Sequence, residues 1–112
     1  MSQMSTNNKI LAIFREDENM RAAVKLLETN GYDVFYEISV FQAIAKVTES
    51  KVDVIILDID DLELKELEFL DVVKKINPNL FILISFCNSN REKAIKYVER
   101  GADCYILKPF YL

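Results

Sequence analysis

The chain has 112 residues, of which 51% are hydrophobic and 29% are charged, and its formal net charge is −4. This balance is typical of one globular domain with a single core, and it disfavours a nucleic-acid-binding surface, which needs clustered Lys and Arg. The absence of histidine and of a CxxC motif excludes a Ser-His or Cys-His nucleophile pair and disfavours a zinc site.

Short apolar runs then alternate with amphipathic segments. The first eight residues lack a signal-peptide pattern, and we expect them to be a disordered lead-in. Five runs rich in apolar, β-branched and aromatic residues predict strands at residues 10–14, 33–38, 52–57, 80–85 and 104–107. Between them, apolar residues three or four positions apart predict four helices. The helical stripes are Met20, Val24 and Leu27; Val40, Ile44 and Val47; Leu67, Leu70, Val73 and Ile76; and Ala94, Ile95 and Val98.

Residues that start or stop helices separate these segments. Gly31 and Gly101 follow the first and fourth helices, Ser39 is a candidate N-cap for the second, and Asn77-Pro78 closes the third. A strand–helix unit repeated four times and followed by a strand predicts an α/β fold. The expected architecture is a doubly wound, five-stranded parallel sheet.

Polar residues stand where three of the predicted strands end. Ligands of such sheets bind beyond the carboxyl ends of the strands. Asp58 follows the third strand, Ser85 closes the fourth and Lys108 follows the fifth. We therefore expect a carboxylate, a hydroxyl and an ammonium group to converge at one edge. The alternative is that these strand ends are polar only because loops are exposed.

These residues and their surroundings resemble the receiver domains of two-component response regulators, over residues 9–112. The stretch VDVIILD around Asp58 resembles the family's phosphoacceptor strand, and GADCYILKPF, residues 101–110, resembles its Lys-Pro-Phe ending. The resemblance implies a flavodoxin-like fold and a cytoplasmic protein. No apolar run is long enough to span a membrane, so we expect no membrane partner. The acidic net charge likewise predicts that this segment makes no direct contact with nucleic acid.

The resemblance also implies roles for individual residues. Asp58 would accept a phosphoryl group from a histidine kinase or phosphotransfer protein, Lys108 would neutralise charge, and Ser85 would bond the transferred group. Tyr105 matches the aromatic residue that moves inward with the hydroxyl, or else it only packs on an edge strand. A cis Lys108–Pro109 peptide would suit the family. Such a domain is not an enzyme beyond its own phosphorylation and controls an output domain or partner protein.

The chain departs from the family where two adjacent acids after the first strand hold Mg²⁺. Those positions are Phe14 and Arg15 here, and neither supplies the oxygen ligands that Mg²⁺ requires. In the interpretation that we favour, the metal site is lost and the Arg15 guanidinium pairs with Asp58, as in pseudo-receivers. We then expect phosphorylation to be impaired, and the alternative is a pseudo-receiver adaptor that works without phosphorylation.

A slip of one or two residues at the strand end gives the other interpretation of this departure. Glu16 and Asp17 would then join Asp58 and Asp60 as metal ligands, and Mg²⁺ would be a possible cofactor. Without the slip, Glu16, Asp17 and Glu18 only form the opening turn of the first helix, where acids favour the helix dipole.

The sequence stops at KPFYL, where the family continues into a fifth helix. We expect apolar surface on the first helix and the sheet to lie open, unless more chain or a second copy in a homodimer covers it.

Two rival functions remain. One is a flavodoxin-like domain that binds a nucleotide or cobalamin, although the usual glycine-rich loop and histidine are missing. The other is an adaptor without site chemistry, with Asp58 and Lys108 as a structural ion pair.

Overall fold

Five strands and four helices alternate in the computed structural model, which describes residues 8–110 and only the backbone of residues 64 and 65. The strands are β1 (Lys9–Ile13), β2 (Asp33–Glu37), β3 (Val54–Asp58), β4 (Phe81–Cys87) and β5 (Cys104–Lys108). The helices are α1 (Glu18–Thr29), α2 (Val40–Glu49), α3 (Glu68–Ile76) and α4 (Arg91–Glu99), with short 3-10 turns at Leu64–Leu67 and Asn88–Asn90. Within the described range no helix combines the length and the apolar character that a membrane crossing demands.

All five strands pair in parallel in one sheet, in the order β2-β1-β3-β4-β5. This confirms the predicted doubly wound sheet. The strand order reverses beside β1, so the carboxyl ends of β1 and β3 border the crevice where such sheets bind ligands. Asp58 lies beside Ser85, and Ser85 lies beside Ile106.

The two faces of the sheet carry separate apolar clusters because successive side chains of a strand point to opposite faces. The larger cluster joins one face to α2, α3 and α4, and it includes Leu11, Ile55 and Ile84. The smaller cluster joins the other face to α1 through Ala12, Phe14 and Met20. Burying each large aliphatic side chain here stabilises the folded state by about 1.5–3 kcal/mol relative to leaving that side chain exposed.

The helix ends follow the predicted signals. Ser39 caps α2, since its Oγ accepts a hydrogen bond from the Gln42 N–H at 3.3 Å. Gly31 and Gly101 have φ angles of 92° and 127°, a region that residues with a Cβ rarely adopt. Asp17 caps α1 by accepting a bond from the Met20 N–H at 3.0 Å.

Each of the five strands differs from its predicted range by one or two residues at one end or at both, and β1 and β4 show the differences that bear on the site. β1 ends at Ile13 rather than at Phe14. β4 continues two residues beyond Ser85 to Cys87, because Phe86 and Cys87 still pair with Leu107 and Lys108 of β5. The expectation that Ser85 closes its strand is therefore wrong. A polar residue does not end a strand whose neighbour continues the hydrogen-bond ladder.

The face beside α1 is only partly covered. An apolar cavity of about 200 Å³ lies between α1 and the sheet, and it is lined by residues such as Val24, Leu83 and Phe110. Ile106 of β5, which lines this cavity, is 39% exposed. This agrees with the expected open apolar surface, and coverage by more chain or by a second copy stays a prediction.

The N-terminal lead-in falls mostly outside the described residues. Of the predicted residues 1–8, only Asn8 is described, and its carbonyl accepts a hydrogen bond from the Asp33 N–H at 3.2 Å. Asn8 is thus bonded to the sheet, and the prediction for residues 1–7 lies outside the described part of the chain.

Candidate functional site

The ammonium group of Lys108 holds three carboxylates together at the carboxyl edge of the sheet. Its Nζ lies 2.5 Å from Asp17 Oδ2, 2.7 Å from Asp58 Oδ2 and 2.8 Å from Asp60 Oδ2. The side chains of Lys108 and Asp58 are only 5% and 4% exposed. Removing one member of such a buried ion cluster would leave the other charges uncompensated. We call these four residues the Lys108 cluster.

The four members of the Lys108 cluster come from the ends of three elements and from the loop after one of them. Asp58 is the last residue of β3, and Lys108 is the last residue of β5. Asp17 reaches the lysine from the N-cap of α1, and Asp60 follows β3 by two residues. The structure thus brings Asp58 and Lys108 together as the strand-end pattern predicts.

The chain after Lys108 is fixed by Asn19 on α1. Its Nδ2 donates to the carbonyl of Phe110 at 3.2 Å, and its Oδ1 accepts from the Phe110 N–H at 2.7 Å. The Lys108–Pro109 peptide is cis, as the resemblance implies. These two bonds dock the end of β5 against the start of α1, which supplies Asp17.

The cluster shifts the pKa values of its members in different directions. Burial raises the pKa of Asp58 above its ordinary value, against the hydrogen bond from Lys108. Burial also opposes ionisation of Asp60, but bonds from Lys108, Cys87 and Asn90 outweigh it and lower the pKa of Asp60 to about 2. Burial is likewise outweighed in Asp17, whose pKa is lowered by Lys108 and by the N–H of Met20.

Burial opposes the charge of Lys108 as well, yet hydrogen bonds to its three carboxylates raise the pKa of this ammonium group. Lys108 therefore carries its proton throughout the neutral range. A permanent positive charge thus stands beside the Asp58 carboxylate.

Asp60 binds further donors besides Lys108. Its Oδ1 and Oδ2 lie 2.9 and 3.1 Å from the Cys87 N, and the Asn90 Nδ2 donates to Oδ1 at 2.7 Å. The Asp60 N–H in turn donates to Asp58 Oδ1 at 3.1 Å. Asp60 thus ties the loop after Asp58 to the end of β4 and to the start of α4.

Two residues of α4 fix the same loop, and sequence reasoning did not find them. The ammonium of Lys93 donates to the carbonyls of Ile59, Asp60 and Leu62 at 2.9, 3.2 and 2.7 Å. The buried Tyr97 donates its hydroxyl to the Glu63 carbonyl at 3.1 Å. Only their spacing of four residues, which puts both on one face of α4, could have marked them. Lys93 and Tyr97 therefore anchor this loop to α4.

Phe14 and Arg15 do not form the substituted site that the sequence suggested. Phe14 is 5% exposed and packs on Tyr36, with ring centroids 4.5 Å apart. Arg15 is exposed at the bend after β1. The Asp58 carboxylate bonds to Lys108 and to the Asp60 N–H instead. The predicted Arg15–Asp58 pair is wrong, because Lys108 already occupies that position from β5.

The acids after β1 do not share one role. Asp17 both caps α1 and binds Lys108, so its interpretation as an opening turn alone is incomplete. Glu18 begins α1. Glu16 is exposed and lines an open cavity with Arg15 and Asp61. Of the acids expected after a register slip, only Asp17 reaches the cluster.

The cluster as it stands does not fit Mg²⁺. Three of the predicted ligands, Asp17, Asp58 and Asp60, direct an Oδ2 atom to Lys108, and the fourth, Glu16, is exposed. Mg²⁺ requires oxygen atoms in a near-octahedral shell, whereas an ammonium group occupies their common point here. In the part of the chain that the structure describes, no group of three or more Asp, Glu, Cys or His side chains is arranged to hold a metal ion.

Ser85 lies beside Asp58 in register, but its hydroxyl is used elsewhere. Ser85 is fully buried, and its Oγ donates to the Sδ atom of Met20 at 3.4 Å. Within the described residues it forms no side-chain bond to Asp58 or Lys108. The hydroxyl therefore belongs to the packing between β4 and α1.

Tyr105 lies on the opposite face and packs on Phe86, with ring centroids 5.9 Å apart. Tyr105 is 61% exposed, whereas Phe86 is 3% exposed. Both rings line an apolar cavity of about 280 Å³ beside Ala94 and Ile95 of α4. Sequence reasoning missed Phe86, although alternation along β4 places it on the same face as Ile84.

Comparisons with known proteins agree with this fold. Residues 10–112 match the model of the response regulator receiver domain family. The transcriptional regulatory protein ZraR of Klebsiella oxytoca is 33% identical over 84 residues, which is 75% of this chain and 19% of ZraR. PrrA of Mycobacterium tuberculosis is 22% identical over 107 residues, which is 96% of this chain and 46% of PrrA. The chain thus spans less than half of these relatives.

Solved structures give the same result. NtrX from Brucella abortus, in complex with ADP, superposes with a TM-score of 0.81 at 25% identity, covering 95% of this chain and 24% of NtrX. A response regulator receiver domain protein from Clostridium thermocellum superposes with a TM-score of 0.78 at 29% identity, covering 93% of this chain and 84% of that protein. The chain belongs to the response regulator receiver domain family.

Proposed function

We propose that this receiver domain accepts a phosphoryl group on Asp58 and thereby controls an output domain or a partner protein. The observation that carries the proposal is the 2.7 Å contact between Asp58 and Lys108 at the ends of β3 and β5. Receiver domains of response regulators interact with histidine kinases and output domains. The phosphodonor proposed here is a histidine kinase or phosphotransfer protein, and no further enzymatic activity is proposed.

The transfer can be written with the groups of the Lys108 cluster. An Asp58 oxygen attacks the phosphorus of a phosphohistidine, a P–O bond forms, and the P–N bond breaks. The electron pair of that bond stays on the imidazole, which takes a proton from water. Lys108, which keeps its charge, offsets the negative charge on the transferring oxygens. The raised pKa of Asp58 makes its carboxylate more basic than an exposed one.

Receiver domains generally bind Mg²⁺ for phosphorylation, and the Lys108 cluster has no place for it as described. We therefore propose that phosphorylation is slower here than in a receiver with an open carboxylate site. Nothing in the proposed transfer depends on a metal ligand of this chain. The closed cluster is what limits the donor's access to Asp58.

The proposal is tested by incubating the protein with acetyl phosphate, with and without added Mg²⁺, and measuring the intact mass. A phosphoryl adduct that maps to Asp58 and is absent from Asp58→Asn is the expected result. Asp61→Asn is the matched control, since it removes the exposed carboxylate nearby and should keep the adduct. Adduct on Asp58→Asn, or none on the wild type after prolonged incubation, would contradict phosphoacceptance.

The closed ion cluster favours a second candidate, an adaptor that works without phosphorylation. All three acids already bind Lys108, so these side chains are held together without a phosphoryl group. In this case Asp58→Asn would leave partner binding unchanged. Under the first proposal, binding of the output partner would respond to acetyl phosphate in the wild type and not in this variant.

A further inference from the structure

We propose that Asp60 is an internal anion that occupies the hydrogen-bond donors an oxyanion on Asp58 would need. The inference rests on the proposed phosphoacceptor role of Asp58. It adds a specific competitor within the site. The first step is the position of Asp60 relative to Asp58. Both carboxylates bind Lys108 Nζ through Oδ2, at 2.7 and 2.8 Å, so they lie side by side on one ammonium group.

The second step is the set of donors that Asp60 holds. Besides Lys108 it accepts bonds from the main-chain N–H of Cys87 and from the side-chain amide of Asn90. An ammonium group, a main-chain N–H and a side-chain amide are the kinds of donor that bind oxyanions. Here they converge on a carboxylate supplied by the chain itself.

The third step is the charge that phosphorylation would add. A phosphoryl group on Asp58 would bring close to two negative charges beside Asp60, and the two anions would compete for Lys108. Like charges this close, in a site that is shielded from water, disfavour each other strongly. Asp60 must therefore release its hydrogen-bond donors before the phosphoryl group can be bound. Until then, these donors stay bonded to the Asp60 carboxylate.

The fourth step connects this competition to α4. Asp60 bonds to Asn90, which precedes α4, and its carbonyl accepts a bond from Lys93 within α4. Displacing the Asp60 carboxylate would break the first contact while leaving the second. A phosphoryl group on Asp58 would thus change the contacts at the start of α4 without involving Ser85.

The experiment compares the rate of Asp58 modification by acetyl phosphate in the wild type and in Asp60→Ala. Removing the internal anion should raise the rate roughly tenfold or more, because one neighbouring negative charge is lost. Asp61→Asn makes the same change in net charge outside the donor set, so its rate should stay close to the wild-type rate. Asp60→Asn keeps an acceptor oxygen but loses the charge, so its rate of modification should fall between the wild-type rate and the rate of Asp60→Ala.

The outcomes separate this inference from the proposed function. Equal rates of adduct formation at Asp58 in wild type and Asp60→Ala would overturn the inference and leave phosphoacceptance standing. An equal increase in Asp61→Asn would also overturn it, since bulk charge would then explain the effect. If Asp60→Ala fails to fold, as judged by thermal unfolding, Asp60→Asn decides by the same criteria.

If no variant is modified at Asp58, phosphoacceptance fails and a binding measurement decides the inference. Inorganic phosphate is then titrated into both proteins while the amide resonances of Cys87 and Asn90 are followed by NMR. Shifts in Asp60→Ala that are absent from the wild type would support the internal anion. The absence of shifts in both proteins would overturn it.

Discussion

The hydroxyl of Ser85 and the ring of Tyr105 lie on opposite faces of the sheet. Ser85 pairs in register with Ile106, whereas Tyr105 pairs with Ile84, and residues in register on parallel strands share a face. Ser85 accordingly bonds to Met20 of α1, and Tyr105 packs on Phe86 beside α4. A direct coupling of this hydroxyl to this aromatic ring would have to pass through the sheet.

Replacing Ser85 by Ala should leave Tyr105 unaffected. The lost bond is a hydroxyl-to-sulfur contact, which is weak, so we expect the free energy of unfolding to fall by less than about 1 kcal/mol. Urea unfolding measures the stability, and the NMR signals of the Tyr105 ring measure its environment. A large change at Tyr105 in Ser85→Ala would show that the two residues are coupled after all.

Replacing Phe86 by Ala should affect both stability and Tyr105. The truncation enlarges the apolar cavity of about 280 Å³ beside α4, and we expect a loss of about 3–5 kcal/mol in the free energy of unfolding. Tyr105 loses the ring on which it packs and gains room to turn inward. Its fluorescence quenching by iodide should therefore fall.

Phe86→Leu is the matched control for the cavity. It keeps most of the side-chain volume, so the expected loss is under about 1.5 kcal/mol. Tyr105 should then stay as accessible to iodide as in the wild type. Unchanged quenching in Phe86→Ala would mean that Phe86 does not hold the ring outward.

The fold was predictable because its signals are local. Apolar runs bounded by Ser39, Gly31 and Gly101 define the strand–helix alternation, and parallel topology then follows from short right-handed connections. The convergence of Asp58 and Lys108 was predictable for the same reason, since parallel strands present their carboxyl ends at one edge.

Side-chain partners in the site were less predictable, because they depend on distances across the sheet. The register of β4 against β5 decides that Phe86, not Ser85, faces Tyr105. A shift of one residue in β4 would reverse that result. The bend after β1 decides that Asp17, not Arg15, reaches the cluster. Neither the register of β4 against β5 nor the bend after β1 can be read from the spacing of residues in the sequence.

Removing the ammonium group of Lys108 should strongly destabilise the protein. Lys108→Met leaves Asp17, Asp58 and Asp60 without their common cation, and we expect the free energy of unfolding to fall by about 3–5 kcal/mol. Adding Asp58→Asn should recover part of this stability, with a coupling free energy of about 0.5–3 kcal/mol in a double-mutant cycle. Lys96→Met, at an exposed lysine of α4, should change little. Additive effects of Lys108→Met and Asp58→Asn would contradict the ion pair.

Replacing Lys93 by Met should loosen the loop after Asp58 while keeping the apolar part of the side chain. Three carbonyls lose an ammonium donor, and we expect a cost of about 1–3 kcal/mol. Hydrogen exchange of the Leu62 amide, which bonds to the Ile59 carbonyl at 3.1 Å, should become faster. Lys96→Met serves again as the control, and an equal effect there would rule out a specific clamp.

Asp103 should make stability depend on pH in the acid range. Its Oδ2 accepts bonds from the Ile82 N–H at 2.8 Å and from Lys74 Nζ at 2.9 Å. Burial opposes ionisation, but these bonds outweigh it and lower the pKa of Asp103 below 3.8. A lowered pKa in the folded state means that the carboxylate stabilises the fold above the unfolded-state pKa. That contribution is lost as the pH falls through the folded-state pKa.

The measurement is the difference in unfolding free energy between wild type and Asp103→Asn, by urea denaturation at pH 7 and pH 3. We expect about 1 kcal/mol in favour of the wild type at pH 7, and a smaller difference at pH 3, which lies below the unfolded-state pKa of a carboxyl group. Protonation of Asp17 and Asp60 is common to both proteins and cancels in the difference. Asp61→Asn should differ from wild type by less than about 0.5 kcal/mol at pH 7. A difference for Asp103→Asn that is equal at both pH values would mean that the carboxylate charge does not contribute.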